Sequence, residues 1–530
     1  MRLSGTLGSY GGGGMSFSPT KATGLVMTAL LPLLGAAPVE TTPPALESIA
    51  CADLMAVEWG GFTLDNVELR DARAGDPAHC LVQGTVPSNI RFELLLPLRA
   101  DWNGRFVMGG GGGYVGSIQN QATTGSGVES PLQRGFATVG TDTGHQASGI
   151  RANWALGRDD LEIDFAHRAV HVTAETAKTI IRLHYGSDIA YSYFIGCSRG
   201  GGQGTMESQR YPDDFDGIVS GAPARDWARI GVQFTQSQLL LYPNPSAPPV
   251  LDADVRTLLE RTILERCDDI DGVTDGVMSD PRHCPFQPED LPRCTGGGNG
   301  SDCATDAQIA AIRAIYDGPT VNGEHVHSGL PFGGEAALAG WGQWVVGAPN
   351  MLGPGFNNLH HAFGAEFFRY FVFDDPDWDL TKYDFSTWAT DTRAAGELLN
   401  STRTDLSAFE TAGGKLILWN GWSDPALSAL ALIDYYEGVQ AEHGDAEDFV
   451  RLFLLPGVLH CAGGPGPDQV EWLDVIQAWV EDGSAPDQVL AARRTNGEVE
   501  MQRPVCAYPA VARYDGTGDA KREESFSCGR

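Results

Sequence analysis

The stretch Ala190–Gly204, AYSYFIGCSRGGGQG, decides how the rest of the chain is interpreted. It begins with β-rich residues and turns abruptly at Gly196-Cys197-Ser198-Arg199-Gly200, which has the G-x-S-x-G pattern of a nucleophile elbow. A serine raised on a sharp strand-to-helix turn requires neighbours without Cβ atoms, because the backbone there is strained and closely packed. The pattern predicts that Ser198 is a nucleophile, although a glycine-rich turn with a chance serine fits these five residues equally well.

Two later segments supply the acid and the base that such a serine needs. Lys415–Trp419 predicts a buried strand and leads into a loop that carries Asp424, and Phe449–Leu455 predicts a second strand, which is followed by His460. Serine, acid and histidine in this order, each just after a strand, are typical of α/β hydrolases. We therefore interpret Ser198 as the nucleophile, His460 as general base and then acid, and Asp424 as the residue that holds the imidazole tautomer. Taken singly, the aspartate also fits a turn residue and the histidine an ordinary loop residue.

A run of glycines predicts the oxyanion hole. Gly109–Gly113 follow the predicted strand Trp102–Met108 and precede the elbow. An α/β hydrolase takes one donor from such an early loop, and glycine lets the backbone N–H approach the ester oxygen closely. We expect this donor to be Gly112 or Gly113, and the second donor to be the backbone N–H of Arg199. Elsewhere in a chain, the same run would indicate a flexible turn.

Two cysteines adjoin the predicted nucleophile and base. Cys197 directly precedes Ser198, and Cys461 directly follows His460. This Cys-Ser, Asp, His-Cys constellation resembles the tannase and feruloyl esterase family, which also contains the mono(2-hydroxyethyl) terephthalate hydrolases. The resemblance covers nearly the whole mature chain. It implies an α/β-hydrolase core with a large inserted lid domain, activity on aromatic esters, and a structural calcium ion.

The beginning of the chain has the pattern of a secretory signal. Lys21 is followed by the apolar run Leu25–Leu34 and by the small residues Gly35–Ala37, in the order charged, hydrophobic, small. The run of about ten residues is too short for a membrane span, which needs roughly 20. We predict that residues 1–37 are a signal peptide, with Met15 as an alternative start, and that the protein is secreted or periplasmic. A buried N-terminal helix is the alternative.

The ten cysteines of an exported chain imply disulfide bonds, whose connectivity the sequence cannot fix by itself. A zinc site is disfavoured, because no C-x-x-C pairs with a second such motif or with closely spaced histidines. The family resemblance and the local spacing together suggest five pairs: Cys51 with Cys80, Cys197 with Cys461, Cys267 with Cys284, Cys294 with Cys303, and Cys506 with Cys528.

The composition changes after Gly221-Ala222-Pro223, where the sequence becomes irregular and rich in Pro, Gly and Trp. An insertion at this point of an α/β hydrolase covers the active site, and the family has such a lid. We predict core residues 38–223, a lid at 224–404, and core residues 405–530. Several lid aromatics are expected in its core, and a few in a slot for an aromatic acyl group: Trp341, Trp344, Phe356, Phe367, Phe368, Tyr370, Phe371, Phe373 and Trp378.

A calcium loop is predicted inside the lid at 267–277, CDDIDGVTDGV. Asp268, Asp271 and Asp275, interleaved with glycines that let carbonyls turn inward, supply the oxygen-only ligands that calcium prefers. The order is not that of an EF-hand, and an acidic surface loop is the alternative. The family resemblance adds the carbonyls of Val273 and Val277 as ligands. We expect a structural ion, because the lid lies away from the predicted triad in chain order.

Three further side chains have open interpretations. His167 and His171 lie four apart on the predicted helix Phe165–Leu183, a spacing that can bind metal. No third ligand is evident, so we interpret both as packing or surface residues. The side chain of Arg199 either meets a substrate carboxylate, which favours a charged monoester, or is an exposed helix-start residue paired with an acid.

These observations predict a secreted serine carboxylester hydrolase that attacks esters of aromatic acids through an acyl-enzyme. The family resemblance implies gallate esters, hydroxycinnamate esters or terephthalate monoesters as candidates. Hydroxycinnamate esters are the first choice, and activity on mono(2-hydroxyethyl) terephthalate is the alternative. The net charge of −32 argues against nucleic acid or an anionic membrane as a partner. A non-catalytic, calcium-stabilised secreted binding protein is the alternative of another class, and the intact Ser, Asp and His argue against it.

Overall fold

A mixed β-sheet lies at the centre of the fold. The structure is a computed structural model, and it describes residues 48–73, 75–123, 129–245, 247–295 and 301–529. The predicted signal peptide, residues 1–37, lies outside the described residues. The strands are β1 (Thr63–Arg70), β2 (His79–Val86), β3 (Ile90–Pro97), β4 (Arg105–Gly109), β5 (Ala137–Thr141), β6 (Tyr191–Cys197), β7 (Gly217–Gly221), β8 (Thr320–Val321), β9 (Glu324–His325), β10 (Lys415–Gly421), β11 (Val450–Leu455), β12 (Gln488–Thr495), β13 (Glu498–Cys506), β14 (Val511–Tyr514) and β15 (Phe526–Gly529).

Nine of the described strands form the central sheet, in the order β1-β2-β3-β5-β4-β6-β7-β10-β11. Pairing is antiparallel from β1 to β5 and parallel from β5 to β11. Parallel strands are covered on both faces, and all five residues of the central strand β7 are buried accordingly. This arrangement confirms the predicted α/β fold and gathers the carboxyl ends of β6, β10 and β11 at one edge.

Helices cover both faces of the sheet. Neighbouring residues of one strand point to opposite faces: Phe194 belongs to the apolar cluster that contains α2 (Ala169–Tyr185) and α11 (Ala429–His443), whereas Tyr193 belongs to the cluster that contains α12 (Trp472–Asp482). No helix in the described residues is long and apolar enough to cross a membrane. The α-helices are α1 (Asp159–Ile163), α2 (Ala169–Tyr185), α3 (Arg199–Arg210), α4 (Trp227–Leu241), α5 (Ala253–Cys267), α6 (Asp306–Asp317), α7 (Leu359–Phe367), α8 (Trp388–Asp391), α9 (Arg393–Leu399), α10 (Ser407–Thr411), α11 (Ala429–His443) and α12 (Trp472–Asp482).

The segment predicted as a lid contains helices α4 to α9 and the short strands β8 and β9. Part of it has its own apolar core, in which Leu259 of α5, Ile312 of α6 and Trp341 of the π-helix Leu338–Val346 are buried together. Core and inserted segment nevertheless belong to one compact unit, Leu46–Arg530. The inserted segment is therefore packed against the sheet domain and is not a separate unit joined to it by a linker.

Four C-terminal strands were not predicted from the sequence. β12 pairs with β13 and β14 with β15, each pair antiparallel and separate from the central sheet. The turn between β12 and β13 contains Asn496 and Gly497, both with positive φ, 52° and 86°. Asn-Gly is the strongest short hairpin signal, because a type I′ turn needs positive φ at both central positions. This signal was present in the sequence and could have located the hairpin.

Candidate active site and calcium loop

Ser198 stands on the sharp turn between β6 and α3, with φ 64° and ψ −122°. A residue with a side chain adopts such a conformation only where surrounding contacts enforce it. Those contacts leave no room beside the serine: a Cβ on Gly196 would lie 2.5 Å from the carbonyl oxygen of Gly200, and a Cβ on Gly200 would lie 2.2 Å from Oε1 of Gln121. The elbow therefore requires glycine at position 196, where the clash is with the backbone, whereas a side chain at position 200 would displace the Gln121 side-chain oxygen that accepts the N–H of Cys197.

The sequence predicts that the helix after the elbow spans Gln203 to Arg210, but α3 begins four residues earlier, at Arg199. Three consecutive glycines disfavour a helix locally, and the tight packing of the elbow overrides that preference. The first N–H groups of a helix have no intrahelical acceptor, and they carry its positive end. In the described part of the chain the backbone N–H of Arg199 donates to no other group, so it is available to an oxyanion.

His460 and Asp424 are in hydrogen-bond contact. Nδ1 of His460 lies 2.9 Å from Oδ2 and 3.2 Å from Oδ1 of Asp424. The carboxylate is 1% exposed, and Oδ1 also accepts the backbone N–H groups of Ala426 and Leu427 at 2.8 and 3.0 Å. A carboxylate held in this way fixes the proton on Nδ1, which leaves Nε2 of His460 as the basic nitrogen.

The disulfide Cys197–Cys461 joins the loop of the predicted nucleophile to the loop of the predicted base. Its Cα atoms are 5.9 Å apart, across a sequence separation of 264 residues, and Nε2 of His460 lies 3.8 Å from Sγ of Cys461. No hydrogen bond joins Ser198 to His460 among the described residues. Such bonds are often long in free enzymes and tighten when substrate binds.

Gly112 and Gly113, the two candidates for the first oxyanion donor, differ in whether their N–H group is already hydrogen-bonded. The N–H of Gly112 donates to Oε1 of Gln119 at 2.7 Å. The N–H of Gly113 has no acceptor within the described ranges, and its φ of 57° puts it in the left-handed region. A Cβ on Gly113 would lie 2.2 Å from the carbonyl oxygen of Gly149. Of the two glycines, Gly113 therefore has the N–H that remains available.

Both interpretations of the Arg199 side chain are wrong. It is 1% exposed, and its Nη2 donates to the backbone oxygens of Phe165 and Ala166 at 2.5 and 2.8 Å. The guanidinium also lies over the rings of Phe165 and Trp227, at 4.3 and 5.6 Å from their centroids. Burial lowers the pKa of Arg199 to about 9. Arg199 does begin the helix, but its side chain points into the protein and not toward solvent.

Lid aromatics reach the catalytic edge. The ring of Trp344 lies 4.7 Å from the imidazole of His460, edge to face, and stacks with Phe363 at 5.9 Å. Tyr114, which directly follows the glycine run, donates its hydroxyl to the backbone oxygen of Phe363 at 2.8 Å. Two of the aromatic residues near the triad thus come from the inserted segment, which is distant in sequence but adjacent in space.

The carboxylates of the predicted calcium loop are held by the loop's own donors. Both oxygens of Asp268 face the N–H of Gly276, at 2.8 and 3.0 Å. Oδ2 of Asp271 accepts the N–H and the hydroxyl of Ser279, at 3.0 and 2.8 Å. Oδ1 of Asp275 accepts the N–H of Val277 at 3.2 Å. These oxygen ligands are of the kind that calcium prefers, but the three carboxylates do not all lie within 4.8 Å of one another in the described residues, so they would have to move closer together to share one ion.

Arg503 is an unpredicted partner of this loop. Its guanidinium pairs with Oδ2 of Asp275, although the side chain is only 2% exposed. The arginine comes from β13, 228 residues away in sequence, so spacing in the sequence could not have revealed it. A cation at the loop would share Asp275 with this guanidinium.

All five disulfide pairs implied by the family resemblance are present. Their Cα atoms are 4.9 to 5.9 Å apart, within the usual range for such bonds. No free cysteine remains in the described residues. The pairs are Cys51–Cys80, Cys197–Cys461, Cys267–Cys284, Cys294–Cys303 and Cys506–Cys528.

Comparison with known proteins gives consistent matches over most of the chain. A family profile described as tannase and feruloyl esterase matches residues 78–529. A mono(2-hydroxyethyl) terephthalate hydrolase of Piscinibacter sakaiensis is 35% identical over 523 residues, covering 85% of each chain. A probable feruloyl esterase of Arthroderma benhamiae is 33% identical over 469 residues, covering 84% of this chain and 83% of that protein. The crystal structure of feruloyl esterase B from Aspergillus oryzae superposes with a TM-score of 0.79 at 26% identity, over 90% of this chain and 99% of that one.

Proposed function

The chain belongs to the tannase and feruloyl esterase family, and on that premise we propose that it is a secreted serine hydrolase of aromatic esters that works through an acyl-enzyme. It is a carboxylic ester hydrolase, which sets aside the alternative of a non-catalytic binding protein. The observation that supports the serine mechanism best is the 2.9 Å contact of His460 with the buried Asp424, on a loop bonded through Cys461 to the Ser198 elbow.

The proposed reaction has two halves. Oγ of Ser198 attacks the ester carbonyl carbon while Nε2 of His460 takes the hydroxyl proton, and the alcohol leaves with that proton from the imidazolium. Water then attacks the acyl-enzyme, with His460 again accepting the proton and returning it to Oγ as the acid departs. Asp424 keeps the imidazole oriented and stabilises its protonated form in both halves.

The negative oxygen of each tetrahedral intermediate needs donors that are already in place. We assign this role to the backbone N–H groups of Arg199 and Gly113. Both lack another acceptor in the described residues, and a preorganised donor contributes about 3 to 4 kcal/mol to catalysis. Gly112 is the weaker candidate, because Gln119 already accepts its N–H.

The preferred acid is a hydroxycinnamate such as ferulate in our first proposal, and a terephthalate monoester in the second. The second is favoured by the 35% identity to a mono(2-hydroxyethyl) terephthalate hydrolase. The Arg199 side chain gives no support to the terephthalate monoester, because it is buried and donates to backbone oxygens. Trp344 beside His460, and Phe363 stacked on Trp344, suit the aromatic ring of either acid.

A hydrolysis panel distinguishes these substrates. Methyl ferulate, methyl gallate and mono(2-hydroxyethyl) terephthalate are each incubated with the purified protein, and kcat/KM is measured. We expect the highest value for methyl ferulate. A highest value for the terephthalate monoester would transfer the assignment to the second candidate, and no turnover of any of the three would contradict the proposed aromatic ester specificity.

The mechanism is tested by Ser198→Ala, compared with Ser208→Ala on the same helix. Loss of the nucleophile should reduce ester hydrolysis by several orders of magnitude in a folded protein. Ser208 lies at the other end of α3, where its hydroxyl donates to the backbone oxygen of Thr205, so its replacement should change activity only a few-fold. Retention of a tenth of the activity by Ser198→Ala would remove this serine from the mechanism.

We further propose export and a structural calcium ion. Five disulfide bonds suit an oxidising compartment, whether extracellular or periplasmic. The ion would be held by the carboxylates of Asp268, Asp271 and Asp275. The carbonyls of Val273 and Val277, on the same loop, would complete its shell.

A further inference from the structure

Three segments converge at the end of α3 that lies away from Ser198. They contribute His171 from α2, Glu207 from α3 and Asp214 from the loop before β7. One ligand atom of each side chain lies within 4.8 Å of those of the other two. In the described part of the chain, this is the one group of three His, Cys, Asp or Glu side chains gathered so closely. The calcium loop does not gather its three carboxylates in this way.

Glu207 is the least compensated member of the group. It is 1% exposed, and neither of its oxygens accepts a hydrogen bond from any described N–H or O–H group. Burial and the neighbouring carboxyl of Asp214 raise its pKa well above the usual range. Two carboxyl groups in contact inside a protein need either a shared proton or a cation between them.

The imidazole of His171 turns this pair into a mixed nitrogen and oxygen site. Nδ1 lies 2.6 Å from Oδ2 of Asp214, and the ring stacks on Tyr211 at 3.9 Å with only 5° between the planes. Tyr211 is held in turn by Nδ1 of His167, 2.8 Å from its hydroxyl. The His171 side chain is 31% exposed, which gives an ion a path from solvent to the buried carboxyls.

The nearest positive charge belongs to Lys178, and it is engaged elsewhere. Its ammonium group donates to the backbone oxygen of Asp214 and lies 5.4 Å from the ring centroid of Phe215. It also lies 3.5 Å from Oε1 of Glu175. Lys178 therefore lowers the cost of negative charge at this site without donating a hydrogen bond to Glu207.

We propose that His171, Glu207 and Asp214 bind a divalent transition-metal ion of the Zn²⁺ type. One imidazole nitrogen and two carboxylate oxygens are ligands that zinc accepts in four-coordinate sites, with water in the remaining position. Calcium is excluded as the occupant, because it takes oxygen ligands and not imidazole. The ion would tie α2, α3 and the loop before β7 together, and so brace the helix whose opposite end carries Ser198.

The test uses Zn²⁺ itself with the full chain, prepared without a polyhistidine tag. The protein is stripped with chelator, dialysed, saturated with Ca²⁺ so that any calcium site is filled, and titrated with ZnCl₂ by calorimetry. We expect one Zn²⁺ per chain and a rise in melting temperature on binding, because a ligand of the native state adds stability by mass action. Absence of zinc binding by the wild-type chain would overturn the proposal in favour of a shared proton.

Two variants assign the ligands. Glu207→Gln keeps the size of the side chain and lets its amide donate to Asp214, yet it removes a charged ligand, so Zn²⁺ affinity should fall at least tenfold. His171→Gln should have the same effect, and its partly exposed position keeps the test valid if the buried variant does not fold. The matched control is His167→Gln, which should keep most of the affinity. Wild-type affinity in both Glu207→Gln and His171→Gln would contradict the site.

Discussion

Asp424 at the candidate active site and Glu207 at the far end of α3 are buried to the same extent, each 1% exposed. They differ in how many hydrogen bonds their carboxylate oxygens accept. Asp424 receives two backbone N–H groups from its own loop and the Nδ1 of His460. Glu207 receives none from the described residues. Three accepted hydrogen bonds stabilise the charged form of a buried carboxylate, whereas a buried carboxylate without donors needs a proton or a cation.

The difference reflects how each site is assembled. Two of the three donors to Asp424 are backbone N–H groups two and three residues further along the chain, so its own loop provides most of its support. The neighbours of Glu207 come from another helix and another loop, and none of them is oriented to donate to it. A buried carboxylate whose oxygens accept hydrogen bonds needs no further partner. One whose oxygens accept none still needs a partner from outside its immediate neighbours.

The largest effect expected from this contrast is at Asp424. Asp424→Asn should lower kcat on the order of 10⁴-fold, because the amide NH₂ can donate to Nδ1 of His460, which favours the wrong imidazole tautomer, and the charge that stabilises the imidazolium is lost. The matched control is Asp216→Asn, at the opposite end of the sheet, where Oδ2 accepts the N–H of Ser192 at 2.7 Å. Steady-state kinetics on the best ester measures both. Equal activities in the two variants would mean that the buried contact with His460 is not used in catalysis.

The disulfide beside the triad should have the second largest effect. Cys197→Ala combined with Cys461→Ala releases the two catalytic loops from each other, and a displacement of about 1 Å can cost 10²-fold in rate. We expect most of the activity to be lost at temperatures well below the melting point of the variant. Cys506→Ala with Cys528→Ala, in the C-terminal strands, is the control for loss of a disulfide as such and should retain activity.

The state of these cysteines can be checked directly. Peptide mapping without reduction should recover the peptides of Cys197 and Cys461 linked together. Alkylation of both thiols in the native, unreduced protein would contradict the bond and the positional role that we give it.

The smallest effect is expected at the calcium loop, where Asp271 is satisfied by its own loop as Asp424 is. If the proposed calcium ion is bound, chelation should lower the melting temperature by a few degrees, because a ligand that binds only the native state stabilises it. Chelation should leave kcat on the ester unchanged at a temperature where the protein stays folded. Added Ca²⁺ should restore the melting temperature of the wild type but not that of Asp271→Asn. Melting that does not respond to Ca²⁺ would make the loop an acidic surface loop only.

The elements that the sequence predicted well are those defined by contiguous residues. The buried strand predicted over Lys415–Trp419 is β10, which spans Lys415–Gly421, because the apolar run of a buried strand is a local pattern. The helix after the elbow was expected from Gln203 and begins at Arg199, because glycine has poor helix propensity and only tertiary packing compensates for it.

By itself, the sequence determined the elbow, the order of Ser198, Asp424 and His460 after three strands, and the resemblance that implied the five disulfide pairs. These are matters of contiguous motifs and chain order, which parallel strands convert into a shared edge. The tertiary structure alone decided that Gln119 occupies the N–H of Gly112, that Arg503 reaches Asp275, and that His171 meets Glu207 and Asp214. Contacts between segments distant in sequence depend on how helices and loops pack, and no local pattern of residues records that packing.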